Sequence, residues 1–171
     1  MYPKKTICIA GKNNIAIKAL DYCLKNHSEH DLVFVANKSD DGKDSWQKSF
    51  KRYSLSKNVN QVELIDIFEL KNLVFISLEY EHLIDIKKFY SKELFNIHFS
   101  LLPSYKGMYT SAKPIINGEK YTGVTLHKID QGIDTGDIVD QIKFEISLKD
   151  TAQNLYYKYL INGEILFKKN I

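Results

Sequence analysis

Two short apolar runs flank one amphipathic stretch near the N-terminus, and this pattern limits the fold more than any other feature. Thr6 to Ala10 (Thr-Ile-Cys-Ile-Ala) reads as a buried strand, and Asp31 to Ala36 (Asp-Leu-Val-Phe-Val-Ala) as a second. Between them Gly11-Lys12-Asn13-Asn14 turns the chain into a helix with Ile15, Leu20, Cys23 and Leu24 on one apolar face. Strand, helix and strand in succession predict a right-handed crossover and parallel strands. Leu73 to Ser77 reads as a further buried strand, and so does Leu94 to His98. Strands alternating with helices define an α/β, Rossmann-like fold with a mostly parallel sheet and flanking helices. The first turn has neither the GxGxxG of a dinucleotide site nor the GxxxxGK[ST] of a phosphate loop.

The connecting stretches are less sharply patterned. Ser45 is placed to cap a short helix containing Trp46, followed by Lys48, Lys51, Arg52 and Tyr53. An aromatic ring beside basic groups suits a base and a pyrophosphate, while a lone tryptophan near a helix start also suits plain packing. Gln61 to Leu70 mixes strand and helix signals, and Glu81 to Tyr90 reads as a short helix. Ile138 to Ile146 is strand-like, and Asp150 or Thr151 caps a final helix with Leu155, Tyr159 and Leu160 inward.

Bulk properties narrow the partners. A chain of 171 residues suits one domain with one core. Its 24 basic and 21 acidic residues leave a net charge of +3, and Arg52 is the one arginine. So small a surplus with so little arginine argues against a nucleic-acid binder. No apolar run approaches the roughly 18 residues that cross a bilayer, and the polar stretch Met1 to Thr6 has no signal-peptide profile. Cys8 and Cys23 lack metal-ligand spacing and read as small buried hydrophobes. A reduced, cytoplasmic protein without a membrane partner is expected.

The chemistry is concentrated in two stretches. In Phe95-Asn96-Ile97-His98-Phe99-Ser100-Leu101-Leu102-Pro103-Ser104-Tyr105-Lys106-Gly107, a strand runs into a turn. The period of two puts Asn96 and His98 on one face and Ile97 and Phe99 on the other. An amide and an imidazole then sit together at the carboxyl end of a strand, where open α/β sheets collect ligands. A turn-capping asparagine beside a hydrogen-bonded histidine is the plainer reading of the same pair. Downstream, Gly123-Val124-Thr125-Leu126-His127-Lys128 alternates, with Val124 and Leu126 on one side and Thr125 and His127 on the other. Ile129-Asp130-Gln131-Gly132-Ile133-Asp134-Thr135-Gly136 follows as a loop with two glycines and two aspartates. By spacing alone that loop is a structural turn as readily as a site.

Together the two stretches resemble the folate-dependent formyltransferase family, whose members act on methionyl-tRNA, glycinamide ribonucleotide and nucleotide-linked amino sugars. The resemblance covers roughly residues 95–139 and implies a formyltransferase catalytic domain over 1–171, expected to lack a C-terminal extension. It implies that Asn96, His98 and Asp134 are the catalytic residues. It implies that Ser77, Leu78, Glu79 and Tyr80, with Asp130, Gly132 and Ile133, bind the formyl donor 10-formyltetrahydrofolate. Formyl transfer to an amine develops negative charge on the formyl oxygen and positive charge on the attacking nitrogen. Such chemistry calls for a hydrogen-bond donor such as Asn96 and a proton acceptor or second donor such as His98, and for no metal. Asp134 would orient His98 or relay a proton through water.

The wording around Phe99 to Thr110, Ile76 to Tyr80 and Asp44 to Gln47 looks most like the nucleotide-sugar N-formyltransferases. That likeness suggests dTDP-4-amino-4,6-dideoxyglucose as acceptor, for surface polysaccharide. Trp46 and Lys48 would meet the nucleotide, and Met108, Tyr109 and Thr110 the sugar. A homodimer is compatible with it. A different acceptor within the family is the first alternative, and a truncated member that binds without turnover is the second.

Overall fold

The structure, a computed structural model, describes residues 3–171. Met1 and Tyr2, where the polar N-terminal stretch begins, lie outside the described residues. The chain forms two units, 1–95 and 96–171, with the boundary inside a strand.

The first unit is built on four parallel strands. These are β1 (Thr6–Gly11), β2 (Asp31–Ala36), β3 (Asn60–Gln61) and β4 (Leu73–Leu78), in the order β3-β2-β1-β4. The opening strand–helix–strand expectation holds: α1 (Asn13–Asn26) lies between β1 and β2 and buries Ile15, Ala16, Ala19, Leu20 and Cys23. Spacings of three and four residues bring these side chains onto one helical face. Leu24 is only half-buried. All six residues of β4 are buried, as its unbroken apolar sequence requires of a strand covered on both faces. Cys8 and Cys23 are buried free thiols, and burial pushes Cys23 up to about 12. At the strand ends β1 and β4 come very close. A Cβ on Gly11 would stand 1.8 Å from the Leu78 carbonyl oxygen, so only glycine fits there.

Two connecting segments differ from expectation. Ser45 caps no helix, and Trp46 lies outside one and is 61% exposed. The helix α2 (Phe50–Ser56) starts four residues later, with the Ser49 hydroxyl accepting from the Arg52 amide at 3.0 Å. The reason is the pair of carboxylates upstream. Asp40 accepts from the Ser49 hydroxyl at 2.6 Å and the Lys51 amide at 2.9 Å, while Asp44 accepts from the Ser49 amide at 2.9 Å. Acidic groups at a helix start satisfy its unpaired amides. Between 81 and 90 the only helical turn is a 3-10 turn at Ile86–Lys88. Leu83 there is exposed, and Phe89 alone is buried, between Phe68 and Phe75. One buried anchor does not give a helix an apolar face. The mixed stretch 61–70 resolves into the end of β3 and a single turn, α3 (Leu64–Ile67).

The second unit takes up the chain from β5 (Leu94–His98), whose bounds match the expectation. A short α4 (Lys113–Ile116) precedes β6 (Tyr121–Lys128) and β7 (Ile138–Glu145), which form an antiparallel pair. The order is β5-β6-β7. The final helix α5 (Ala152–Asn170) packs on β6 and β7, and its cap is Thr151, whose hydroxyl accepts from the Asn154 amide at 3.2 Å. Leu155 and Tyr159 are fully buried, whereas Leu160 is half-buried. The Tyr159 ring stacks on Phe99 and meets Phe144 edge-on. Its hydroxyl accepts from Thr122 at 2.7 Å and donates to the Thr110 carbonyl at 3.1 Å. Burial pushes the Tyr159 phenol up to about 12, which keeps it neutral as a donor. Among the described residues no helix is long and apolar enough to cross a membrane.

Candidate active site

In the second unit, β5 ends in His98, β6 carries Thr125 and His127 along its length, and the loop after β6 supplies Asp134. The alternation of β6 places Thr125 and His127 on the same side, both buried. Thr125 fixes the turn that leaves β5. Its hydroxyl donates to the Ser100 carbonyl at 2.7 Å and accepts from the Leu102 amide at 3.1 Å and from Gln141 Nε2 at 2.7 Å. Gln141 Nε2 also donates to the Leu102 carbonyl at 3.0 Å. Thr125→Val keeps the shape and removes the hydroxyl, leaving buried polar groups of the turn unpaired. A loss of about 1–3 kcal/mol is the expected result, read as a lower denaturant midpoint. An unchanged midpoint would refute this role.

The turn so held brings the Tyr105 carbonyl to 2.8 Å from His98 Nε2. A carbonyl only accepts, so Nε2 carries a proton and Nδ1 is the basic nitrogen of the neutral ring. Nδ1 lies 3.4 Å from Asp134 Oδ2. The same carboxylate oxygen accepts from the Gly107 amide at 2.8 Å. Gly107, with φ of 79°, uses the freedom of glycine to point that amide inward. Asp134 itself adopts φ of 51°, a left-handed conformation that aspartate tolerates better than most residues.

Asp134 Oδ1 faces the other two members of the cluster. It lies 3.4 Å from Asn96 Nδ2 and 3.4 Å from His127 Nε2. Asn96 Nδ2 is 3.0 Å from His127 Nε2, and His127 Nδ1 is 2.8 Å from the Lys128 carbonyl. Nδ1 therefore donates. Nε2 accepts from Asn96 when the ring is neutral and faces the carboxylate as a donor when the ring is charged. One N–H of the amide is spent on His127, and the other makes only the long contact to Asp134.

The electrostatics follow from burial. Desolvation lowers the His98 pKa, with His127 adding to the effect; Asp134 and the Tyr105 carbonyl oppose it but do not overcome it. His98 is thus neutral near pH 7. Burial alone would raise the Asp134 carboxyl, but His127, His98 and the Gly107 amide together hold it below the usual range. A neutral imidazole, an oriented amide and an ionised carboxylate stand within a few ångströms of each other.

Asn96, His98 and Asp134 are therefore brought together as expected. His127 joins them; its place two residues after Thr125 on an alternating strand sets its direction, but only the neighbouring strand brings Asn96 to it. Asp130 and Gly132 form the frame of the loop. Asp130 Oδ1 accepts from the Gly132 amide at 3.0 Å and the Thr135 hydroxyl at 2.7 Å. A Cβ on Gly132 would stand 1.9 Å from Thr135 Oγ1. Ile133, at the loop tip, is 53% exposed. Met108 and Tyr109 follow Gly107 and are exposed, while Thr110 is half-buried and gives its carbonyl to Tyr159.

The remaining expected site residues belong to the first unit. Ser77 and Leu78 are buried at the carboxyl end of β4. The chain then turns at Glu79, with φ of 56°, and half-buried Tyr80 follows. Asn37 Nδ2 donates to the Glu79 carbonyl at 2.9 Å, and Asn13 Nδ2 to Glu79 Oε2 at 3.1 Å. Trp46 and Lys48 are exposed and line a cavity of about 480 Å³ with Lys12, Asn13, Lys43 and Asp44.

An amide, an imidazole pair and a largely buried carboxylate are thus gathered at the end of β5 and β6 in an α/β fold. The chain belongs to the formyl transferase family, whose model matches residues 4–170. It is similar to the structure of WlaRD, a sugar 3N-formyl transferase solved in the presence of dTDP and 5-N-formyl-THF. Identity is 50% and the TM-score 0.94, over 99% of this chain and 62% of that one. It is equally similar, at 50% identity and a TM-score of 0.93, to the N-formyltransferase from Helicobacter canadensis in complex with folinic acid and dTDP-3-aminofucose. That match covers 97% of this chain and 62% of the other. A methionyl-tRNA formyltransferase of Endomicrobium trichonymphae is 32% identical over 167 residues, which are 88% of this chain and 53% of that protein. The chain thus spans between half and two thirds of the length of these three relatives.

Proposed function

We propose that this chain is the catalytic domain, over 1–171, of a folate-dependent sugar N-formyltransferase. Its acceptor is the amine of a dTDP-linked 3-amino-deoxysugar, and its formyl donor is 10-formyltetrahydrofolate. The observation that carries the reading is the convergence of Asn96, His98 and Asp134, in a chain 50% identical to two sugar N-formyltransferases. The motif likeness suggested a 4-amino sugar. One of those two relatives is a sugar 3N-formyl transferase and the other holds dTDP-3-aminofucose, and this favours the 3-amino acceptor.

The residues suit the donor. Ile133 presents an apolar side chain beside the polar cluster's loop, and Ser77 to Tyr80 bring backbone out at a strand end. When bound, 10-formyltetrahydrofolate supplies the formyl group. His98 accepts at Nδ1 the proton released by the attacking amine. Asp134 is already in place to stabilise the imidazolium, and Tyr105 holds the ring by Nε2. Asn96 turns its less engaged N–H toward the oxygen on which negative charge develops, and His127 fixes the plane of that amide. Trp46 and Lys48 meet the nucleotide, and Met108 to Thr110 the sugar. The reduced state of Cys8 and Cys23 suits a cytoplasmic setting.

A second reading, transfer to methionyl-tRNA, is favoured by the relative at 32% identity, but a chain with one arginine is poorly equipped for tRNA. Mass spectrometry separates the two. Protein and 10-formyltetrahydrofolate are offered dTDP-3-amino- and dTDP-4-amino-dideoxysugars, glycinamide ribonucleotide and methionyl-tRNA. Gain of one formyl group on the 3-amino sugar is the expected result. Product on the 4-amino sugar alone would move the amine, and product on tRNA alone would overturn the sugar assignment. Binding of both ligands without product would leave a binding-only protein.

A further inference from the structure

In the first unit, the turn between α1 and β2 holds a cluster that formyl transfer does not use. His27 closes α1, its amide donating to the Cys23 carbonyl at 2.8 Å, and the His30 amide donates back to the His27 carbonyl at 3.1 Å. This tight turn sets the first and fourth residues side by side. Their imidazole planes lie within 13° of parallel with centroids 6.1 Å apart, and Tyr22 packs edge-on against His27. Glu29 reaches between them. Its Oε1 is 3.9 Å from His27 Nδ1 and 3.6 Å from His30 Nε2.

Those separations are too long for hydrogen bonds. They are close to the roughly 3.3–3.5 Å between ligand atoms on a tetrahedral ion with bonds near 2.1 Å. One ligand atom from each residue lies within 4.8 Å of the other two. The nitrogens turned toward Glu29 are His27 Nδ1 and His30 Nε2. The opposite ring nitrogens, His27 Nε2 and His30 Nδ1, are buried without a hydrogen-bond partner, so no competing bond fixes the rotation of either ring.

We propose that His27, Glu29 and His30 bind one divalent transition-metal ion of the zinc type. Two imidazoles and a carboxylate are the donor set such ions prefer, whereas magnesium and calcium favour all-oxygen sites. Three protein ligands leave a position for water. Bound there, the ion ties the end of α1 to the start of β2 and so stabilises the parallel strand pair that follows. The role is structural, and none of the three residues belongs to the set assigned to catalysis.

The test is titration of the whole chain with zinc chloride, followed by calorimetry and thermal melting. One equivalent binds, and the melting temperature rises by several degrees at saturation. The double variant His27→Gln, His30→Gln binds at least tenfold more weakly and melts at the same temperature with and without zinc. Imidazole nitrogen–proton correlation spectra of the unaltered protein give a readout that needs no variant: zinc shifts the His27 and His30 signals. No binding, equal binding by the double variant, or shifts confined to His98 and His127 would each overturn the site.

Discussion

Exchanging His98 for glutamine lowers the turnover of formyl transfer by about 10²–10⁴-fold, the range over which a positioned general base acts. Glutamine is the informative choice because its amide still donates to the Tyr105 carbonyl, as His98 Nε2 does at 2.8 Å. The turn after β5 therefore keeps its anchor, and the loss is confined to the basic nitrogen. The pH profile of the unaltered protein makes the same assignment from another side. Burial lowers the His98 pKa from its ordinary value of 6.5, so the ring sheds its proton below that pH. A base must be neutral to act, so kcat/KM rises with pH through a midpoint below 6.5 and then levels. The glutamine variant loses that rising limb. A folded variant with wild-type turnover in the mass-spectrometric assay would remove His98 from the chemistry.

The fold was legible wherever the local pattern and the burial agree. β2 and β5 fall on their expected bounds because each is a short apolar run ended by polar residues. β1 and β4 each extend one residue further, into the Gly11–Leu78 approach. Helix starts were harder. Ser45 and Ser49 are equally good caps by residue type, and the choice fell to Asp40 and Asp44, whose hydrogen bonds to Ser49 are tertiary contacts. The stretch from Glu81 failed for a different reason. Its apolar residues are spread over an irregular segment, with Leu83 exposed and Phe89 buried.

The site divides in the same way. Period two set Asn96 beside His98 and Thr125 beside His127, so each pair was readable from its own strand. That the two strands bring Asn96 to 3.0 Å from His127 is a long-range fact, and so His127 went unassigned. Asp134 is the clearest case. Its loop read equally well as a plain turn, and only family resemblance singled it out from Asp130. The hydrogen bonds separate the two aspartates physically. Asp130 is engaged by Gly132 and Thr135 of its own loop, whereas Asp134 turns through a left-handed φ of 51° toward Asn96, His98, His127 and Gly107.

That difference sets the second large effect. Asp134→Asn keeps the left-handed backbone, which asparagine also tolerates, and keeps an oxygen for the Gly107 amide. What it removes is the negative charge facing His98 Nδ1 and His127 Nε2, each at 3.4 Å. Turnover should fall about 10²–10³-fold, the scale on which one preorganised electrostatic partner is felt. The direction of the pH shift then tells which protonation state of His98 works. Asp134 raises the His98 pKa against the burial that lowers it, so removing the charge lowers that pKa further. If neutral His98 takes the amine proton, the residual activity keeps its rising acid limb and the midpoint moves to lower pH. If charged His98 holds the developing oxyanion instead, activity falls with rising pH, and the variant loses activity at a lower pH than the parent. The first pattern is expected, because Nε2 is committed to the Tyr105 carbonyl and burial keeps the ring neutral at pH 7. The second would transfer the role of base from His98 to another group and leave Asn96 and His98 sharing the oxyanion.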